Sequence, residues 1–156
     1  METSFEEELE KSGHIVYTNV GISMLPLLRE NRDVMLIEKK EFKCYDAVLF
    51  RRPGVTGRGH YIVHRILRIN KDGSCWIVGD NLVQGEIVQR EDILGTLTGV
   101  YRNGKLVKFD DLGYRLYVAF WCRPWPLRFL ILRLRNFLRR VLSKIKRIIK
   151  KVGLIK

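Results

Sequence analysis

The sequence predicts a mostly-β domain followed by a C-terminal amphipathic α-helix. Two observations support this fold class. Between residues 15 and 109, short runs of β-branched and apolar residues alternate with turns that contain glycine, proline or asparagine. From Leu127 to Val152, apolar residues recur every three or four positions, which is a helical period. We therefore predict a domain over residues 1–112 and a basic helical tail over residues 113–156.

Seven short segments have the composition of β-strands. Residues 61–69 show the clearest alternation of the two faces, and His64 lies in the middle of that segment. Lys71-Asp-Gly73 and Arg102-Asn-Gly104 have the chemistry of tight turns, so each predicts a hairpin between its flanking strands. The acid-rich N-terminus fits either a short helix or a frayed end. The strands are predicted at residues 15–20, 34–38, 46–50, 61–69, 75–78, 93–101 and 106–109.

Charge is divided unevenly along the chain, which has a formal net charge of +12. Residues 1–100 contain 13 Lys and Arg against 15 acidic residues. Residues 101–156 contain 16 Lys and Arg against only Asp110 and Asp111. A partner that recognises positive charge, such as a membrane or a nucleic acid, is therefore expected at the tail and not at the body of the protein.

Several classes of protein are disfavoured by the composition. A sequence with 46% hydrophobic and 29% charged residues is typical of a globular domain. Cys44, Cys75 and Cys122 are far apart and form no C-x-x-C pair, so no zinc site, disulfide framework or other cofactor is indicated. Residues 1–11 are acidic and the longest apolar run is residues 116–122, so neither a signal peptide nor a transmembrane helix is expected.

A serine and a histidine are the first candidates for chemistry. Ser23 lies in Gly21-Ile-Ser-Met-Leu-Pro26, where the glycine permits a tight turn and the proline restricts the exit path. A serine hydroxyl is a poor nucleophile until a neighbouring base takes its proton. His64 suits that role because an imidazole titrates near neutral pH. Taken separately, such a serine is more often a turn residue, and such a histidine is often paired with backbone.

An acid that orients the histidine would complete a catalytic triad. Asp80 lies in Gly79-Asp80-Asn81, and Glu86 follows six residues later. Either carboxylate could hold the Nδ1 proton of His64 and stabilise the imidazolium. The alternative is that Gly-Asp-Asn is an ordinary turn and that Glu86 is a solvated charge.

The order of these motifs resembles that of the signal peptidase family. The similarity covers about residues 15–100 and is closest to the branch that uses a Ser/His pair, found in the endoplasmic reticulum, many archaea and Gram-positive bacteria. It implies a compact, coiled β-sheet domain whose peptide substrate docks as an added strand. Met24 and Pro26 would shape the groove for that strand. The matching motifs are Gly21-x-Ser23-Met24-x-Pro26, Arg-Asp33-Val, Tyr-Asp46-Ala-Val, Ile-Val-His64-Arg65-Ile and Val-Gly79-Asp80-Asn81.

The resemblance also implies roles for the candidate residues. Ser23 would be the nucleophile and His64 the general base of an acyl-transfer reaction. Asp80 or Glu86 would assist, and Asp80 is preferred because Gly-Asp-Asn is the better preserved motif. The implied function is that of a serine endopeptidase that cleaves a signal, leader or precursor peptide after small residues. No metal or cofactor is implied.

The tail has three candidate partners. Trp121 and Trp125 precede the two-faced helix, and aromatic residues beside a basic amphipathic helix suit a membrane interface. An anionic membrane surface, bound from Leu127 to Val152, is preferred because no other anchor is expected. The expected location is peripheral, with the cytoplasmic face favoured. The alternatives are a helix that packs its apolar face on the β domain and, less favoured, a basic face that binds nucleic acid.

Two other functions remain open at this point. One is a repressor-like autoprotease or regulator whose basic tail binds DNA. No helix-turn-helix pattern precedes the β domain, and His64 stands where those repressors have lysine, so this function is less favoured. The other is a non-catalytic, membrane-tethered adaptor, which differs from an enzyme in that Ser23 would not react with a serine-specific probe.

Overall fold

An antiparallel eight-stranded sheet forms the centre of the protein in a computed structural model that describes residues 4–55 and 60–151. The prediction of a mostly-β fold with a C-terminal helix is confirmed. The strands are β1 His14–Thr18, β2 Val34–Glu38, β3 Ala47–Arg51, β4 Tyr61–Ile69, β5 Cys75–Val78, β6 Gly85–Val88, β7 Ile93–Arg102 and β8 Lys105–Lys108. The helices are α1 Phe5–Ser12, α2 Leu112–Tyr117 and α3 Trp125–Lys151, with a 3₁₀ turn at Arg90–Asp92 and a π-helical segment at Val118–Cys122.

The strands are ordered β1-β2-β7-β3-β4-β5-β6, and β8 also pairs with β7. Register shifts interrupt the ladders β2–β7, β3–β7 and β4–β5. Such irregularities bend strands and increase their twist, so the sheet curves instead of lying flat. Strand β4 has neighbours on both sides, with His64 opposite Val48 of β3 and Arg65 opposite Val78 of β5.

All seven predicted strands are present, with ends that differ by no more than two residues from the expected ones. Strand β6, which is only four residues long and pairs with β5, is not among the predicted strands. The acid-rich N-terminus forms α1, which Ser4 caps together with Glu7 in a capping box. Three buried apolar clusters stabilise the sheet, and the third of them joins Leu67 and Val78 to Phe129 of α3.

The tail is not one uniform segment. Helix α3 begins at Trp125, two residues before the expected start, because Pro126 is compatible with the first turn of a helix. Arg128 and Leu132 are buried, and the Trp125 ring lies edge-on to Trp76, with the centroids 5.1 Å apart. The first half of α3 is therefore part of the domain. The division into a domain over residues 1–112 and a basic helical tail over residues 113–156 stays a prediction.

A helix that packs on a domain is expected to bury its apolar face, but α3 meets the domain with another face. The apolar stripe of the sequence pattern is exposed, and Leu130, Leu134 and Leu138 have 63%, 56% and 49% of their surface accessible. Val152, the predicted end of the stripe, lies outside the described residues, as do residues 1–3 and 153–156 of the two predicted units. Within the described residues, no helix combines the length and apolar character that crossing a membrane requires.

Candidate active site

Ser23 lies in a turn-rich segment, residues 19–33, that connects β1 and β2. Gly21 has a φ of +99°, a conformation that glycine adopts without the strain of a side chain. The Gly21 N–H donates to the Glu30 carboxylate at 3.0 Å, and the Asn19 side-chain amide donates to the Gly21 carbonyl at 3.2 Å. These bonds hold the turn in shape and leave Ser23 half-buried at its surface.

Met24 and Pro26, the residues expected to shape a substrate groove, have different positions. Met24 is 1% exposed and packs in the largest core cluster with Leu28. It therefore supports the Ser23 turn from below and does not line an open groove, because its side chain faces the core. Pro26 is exposed and remains accessible to a substrate.

The backbone of Ser23 and the ring of His64 both lie against Gly79. A Cβ atom placed on Gly79 would lie 2.7 Å from the Ser23 carbonyl oxygen and 3.1 Å from Cδ2 of His64. No side chain fits there, so glycine at this position permits the serine turn to approach the histidine strand. The Asn81 N–H donates to the same Ser23 carbonyl at 2.8 Å, and its side-chain amide donates to the Ile22 carbonyl at 3.0 Å.

His64 is 6% exposed in the middle of β4. Burial lowers the pKa of His64 to about 4, and the Glu86 carboxylate opposes this shift. The imidazole is therefore neutral at neutral pH. A neutral imidazole has a free lone pair and can accept a proton from a serine hydroxyl.

Glu86 is the acid that lies beside the imidazole. Its Oε1 atom is 3.9 Å from Nδ1 of His64, which is too long for a hydrogen bond but close for an electrostatic contact. Arg52 donates two bonds to the same carboxylate, from Nε to Oε2 at 2.7 Å and from Nη2 to Oε1 at 2.5 Å. This paired geometry fixes the direction of the carboxylate. Glu86 thus has the position needed to stabilise an imidazolium at His64.

Asp80 faces a different group of residues, so the preference for Asp80 as the histidine-orienting acid is corrected. Its fully buried carboxylate accepts two bonds of 2.7 Å from Arg65. Tyr117 donates to it at 2.8 Å and Arg128 at 3.1 Å. His64 is not among its hydrogen-bond partners in the described part of the chain. Asp80 instead joins β4 to the C-terminal helices, because its oxygens are already occupied by these donors.

Three further residues contribute to this region and are not among the predicted site residues, namely Arg52, Asn81 and Arg135. Arg52 follows β3 next to another arginine, and no pattern singles it out. Asn81 belongs to the Gly-Asp-Asn motif but had no assigned role. Arg135 lies seven residues after Arg128, a spacing that repeats the same helix face and would have indicated a shared environment.

In the described residues, no group of three or more His, Cys, Asp and Glu side chains is arranged to hold a metal ion. Comparisons of the chain with protein-family models, curated proteins and solved structures find no match. The similarity to signal peptidases therefore depends on the motifs quoted above, and membership of that family stays a prediction.

Proposed function

We propose that the protein is a serine endopeptidase in which Ser23 is the nucleophile and His64 the general base. The observation that supports this most strongly is that the Ser23 backbone carbonyl and the His64 ring both lie within 3.1 Å of the position that a Cβ atom would take on Gly79. Acyl transfer uses a serine, a histidine that takes its proton and an acid beside the histidine, and Ser23, His64 and Glu86 are residues of these three types in one region of the protein.

The proposed reaction has two half-reactions. The Ser23 oxygen attacks the peptide carbonyl carbon while its proton passes to His64, which forms a tetrahedral intermediate and an imidazolium. The C–N bond then breaks as His64 returns the proton to the leaving amine, and an acyl-serine ester remains. Water attacks this ester while His64 accepts a proton from the water, and the proton returns to the Ser23 oxygen as the acid product leaves.

The environment of His64 suits the charge that develops on it. A base with a pKa of about 4 is weak in the free protein, because burial disfavours its charged form. In the transition state, the oxyanion and the Glu86 carboxylate both favour the imidazolium. Arg52 keeps that carboxylate in place and so preserves the interaction throughout the reaction.

A serine-reactive fluorophosphonate probe tests this proposal directly. The wild-type protein should be labelled at Ser23, which mass analysis of its peptides identifies. Ser23→Ala should abolish labelling, and His64→Ala should slow it by on the order of 10³-fold or more. Ser143→Ala, on the far part of α3, is the matched control and should label normally. A folded Ser23→Ala protein that cleaves peptides at the wild-type rate would refute the mechanism.

The outward face of α3 supports action at an anionic membrane surface. An exposed apolar stripe runs from Leu127 to Ile148, a distance of about 32 Å at 1.5 Å per residue. Arg128, Phe129 and Leu132 are buried on the opposite face, so the stripe is not needed for packing within the domain. Because the sequence from residue 101 onward has a strong excess of positive charge, the stripe suits an anionic bilayer interface. The members of the stripe are Leu127, Leu130, Leu134, Leu138, Ile145 and Ile148.

A further inference from the structure

We infer that Arg135 of α3 is a positioning residue for Ser23 and that it acts through Asn81. Arg135 Nη1 donates to Oδ1 of Asn81 at 2.8 Å. The amide nitrogen of the same Asn81 side chain donates to the Ile22 carbonyl at 3.0 Å, and the Asn81 N–H donates to the Ser23 carbonyl at 2.8 Å. A continuous chain of hydrogen bonds therefore leads from the C-terminal helix to the backbone of the candidate nucleophile.

Asn81 can serve both ends of this chain only in one orientation. Its Oδ1 atom must face Arg135, since guanidinium groups only donate, and its amide nitrogen must then face the Ile22 carbonyl. Loss of the Arg135 bond removes the charged donor that selects this orientation. The bond from the Asn81 side chain to the Ile22 carbonyl would then be less well defined, and the turn that contains Ser23 would be held less firmly relative to His64.

Helix α3 is held firmly where this contact is made. Arg128 lies two helical turns earlier on the same face, is fully buried, and donates to Asp80 at 3.1 Å. The helix thus contacts two successive residues of the Gly79-Asp80-Asn81 turn. Arg139 lies one turn beyond Arg135 on the same side of the helix but is exposed. Of these three arginines, Arg128 and Arg135 therefore bond to the Gly79-Asp80-Asn81 turn.

The consequence for catalysis follows from the sensitivity of acyl transfer to geometry. A displacement of about 1 Å at the reacting atoms can lower a rate by about 10²-fold. Arg135 does not touch the reacting atoms in this scheme, so its effect should be on placement of Ser23 and not on the acidity of His64. The role rests on the proposed function, and it adds α3 to the elements that shape the active site.

The test compares Arg135→Met, Arg135→Lys and the control Arg139→Met, each in the full-length protein. The second-order rate of fluorophosphonate labelling at Ser23 should fall about tenfold or more in Arg135→Met. It should recover in part in Arg135→Lys, which can still donate to Asn81, and should stay at the wild-type value in Arg139→Met. The pH at which labelling reaches half its maximum should stay the same in all three variants.

Two further measurements make the result independent of general damage to the fold. Hydrogen exchange at the Asn81 amide, which bonds the Ser23 carbonyl, should become faster in Arg135→Met and not in Arg139→Met. In an Asn81→Ala background, Arg135→Met should have little additional effect, because both substitutions break the same chain of bonds.

Equal labelling rates and equal Asn81 exchange in Arg135→Met and Arg139→Met would overturn the inference, as would fully additive effects in the double variant. If the wild-type protein is not labelled at Ser23, the proposed function fails. In that case, the comparison of hydrogen exchange at the Asn81 backbone amide between Arg135→Met and Arg139→Met still shows whether Arg135 holds the Ser23 turn.

Discussion

Replacing Asp80 by asparagine should destabilise the protein more than it changes the chemistry at His64. The substitution keeps the size of the side chain but removes its negative charge. Arg65 and Arg128, both fully buried, would lose the carboxylate that they share. The new amide group would also direct N–H donors toward the guanidinium groups and Tyr117, which themselves donate to this side chain.

The magnitude follows from the burial of this cluster. Removal of one partner from a buried ion pair typically costs about 3–5 kcal/mol, because a charge is left without compensation in the interior. The total free energy of unfolding of a domain is roughly 5–15 kcal/mol, so this loss is a large fraction of it. With a urea m-value of about 2 kcal/mol/M, the unfolding midpoint should fall by about 1.5–2.5 M.

Urea unfolding, followed by tryptophan fluorescence, measures this loss. Trp76 and Trp125 lie in contact where α3 packs on the sheet, so the signal reports on that interface. Asp110→Asn is the control, since Asp110 lies in an exposed turn and should leave the midpoint almost unchanged. Glu86→Gln should show the opposite pattern to Asp80→Asn, with slower cleavage and a smaller change of midpoint.

One outcome would refute the assignment of these two acids. If Asp80→Asn unfolds at the wild-type urea concentration while its cleavage rate falls by several orders of magnitude, Asp80 acts on His64 and not as a structural charge. Full cleavage activity in both Asp80→Asn and Glu86→Gln would instead reduce the site to a Ser/His dyad.

Three further predictions concern the histidine and the tail. The free energy of unfolding should fall as the pH drops from 6.5 to about 4, because His64 takes up a proton in the unfolded chain but stays neutral in the folded protein. A His64→Gln variant whose urea midpoint has the same pH dependence as the wild type would contradict this. The acid limb of the pH profile of kcat/KM should move to higher pH in Arg52→Met and to lower pH in Glu86→Gln, because Arg52 lowers and Glu86 raises the pKa of His64. An acid limb at the wild-type pH in both variants would exclude His64 as the titrating base. The protein should co-sediment with anionic vesicles less at high salt, and Leu134→Ser with Leu138→Ser should weaken binding at every salt concentration. A shift of DNA without vesicle binding at the same salt would favour the repressor-like regulator with a DNA-binding tail.

The strands and turns could be predicted from the sequence because their signals are local. The Asn103-Gly104 turn requires two residues with positive φ, and these have φ values of 52° and 76°. Strand β6 could not be found in this way, since four residues with a glycine at one end have little intrinsic preference for a strand. Its pairing with β5 stabilises it, and that pairing exists only in the folded sheet.

The residues of the candidate site could be named from the sequence, but their relationships could not. Ser23, His64 and the two acids were all identified by residue type and motif. Gly79 looked like an ordinary turn glycine, whereas the structure makes it the gap through which the serine turn meets the histidine strand. The choice between Asp80 and Glu86 depends on which carboxylate faces Nδ1 of His64, and sequence spacing contains no such information.

The tail shows most clearly which features follow from the local sequence and which depend on tertiary contacts. The three- and four-residue spacing by itself determined that α3 is a helix with an apolar face and a basic face. The spacing did not determine which face meets the domain. A helical repeat shows that a helix has two different faces, but it contains no information about which of them packs on other elements. The structure turns Arg128 inward and leaves Leu130 and Leu134 outside. The physical reason lies in the contacts of the inner face of α3, where Phe129 packs with Leu67 and Val78 and Arg128 donates to the buried Asp80 carboxylate, all of them residues far away in the sequence.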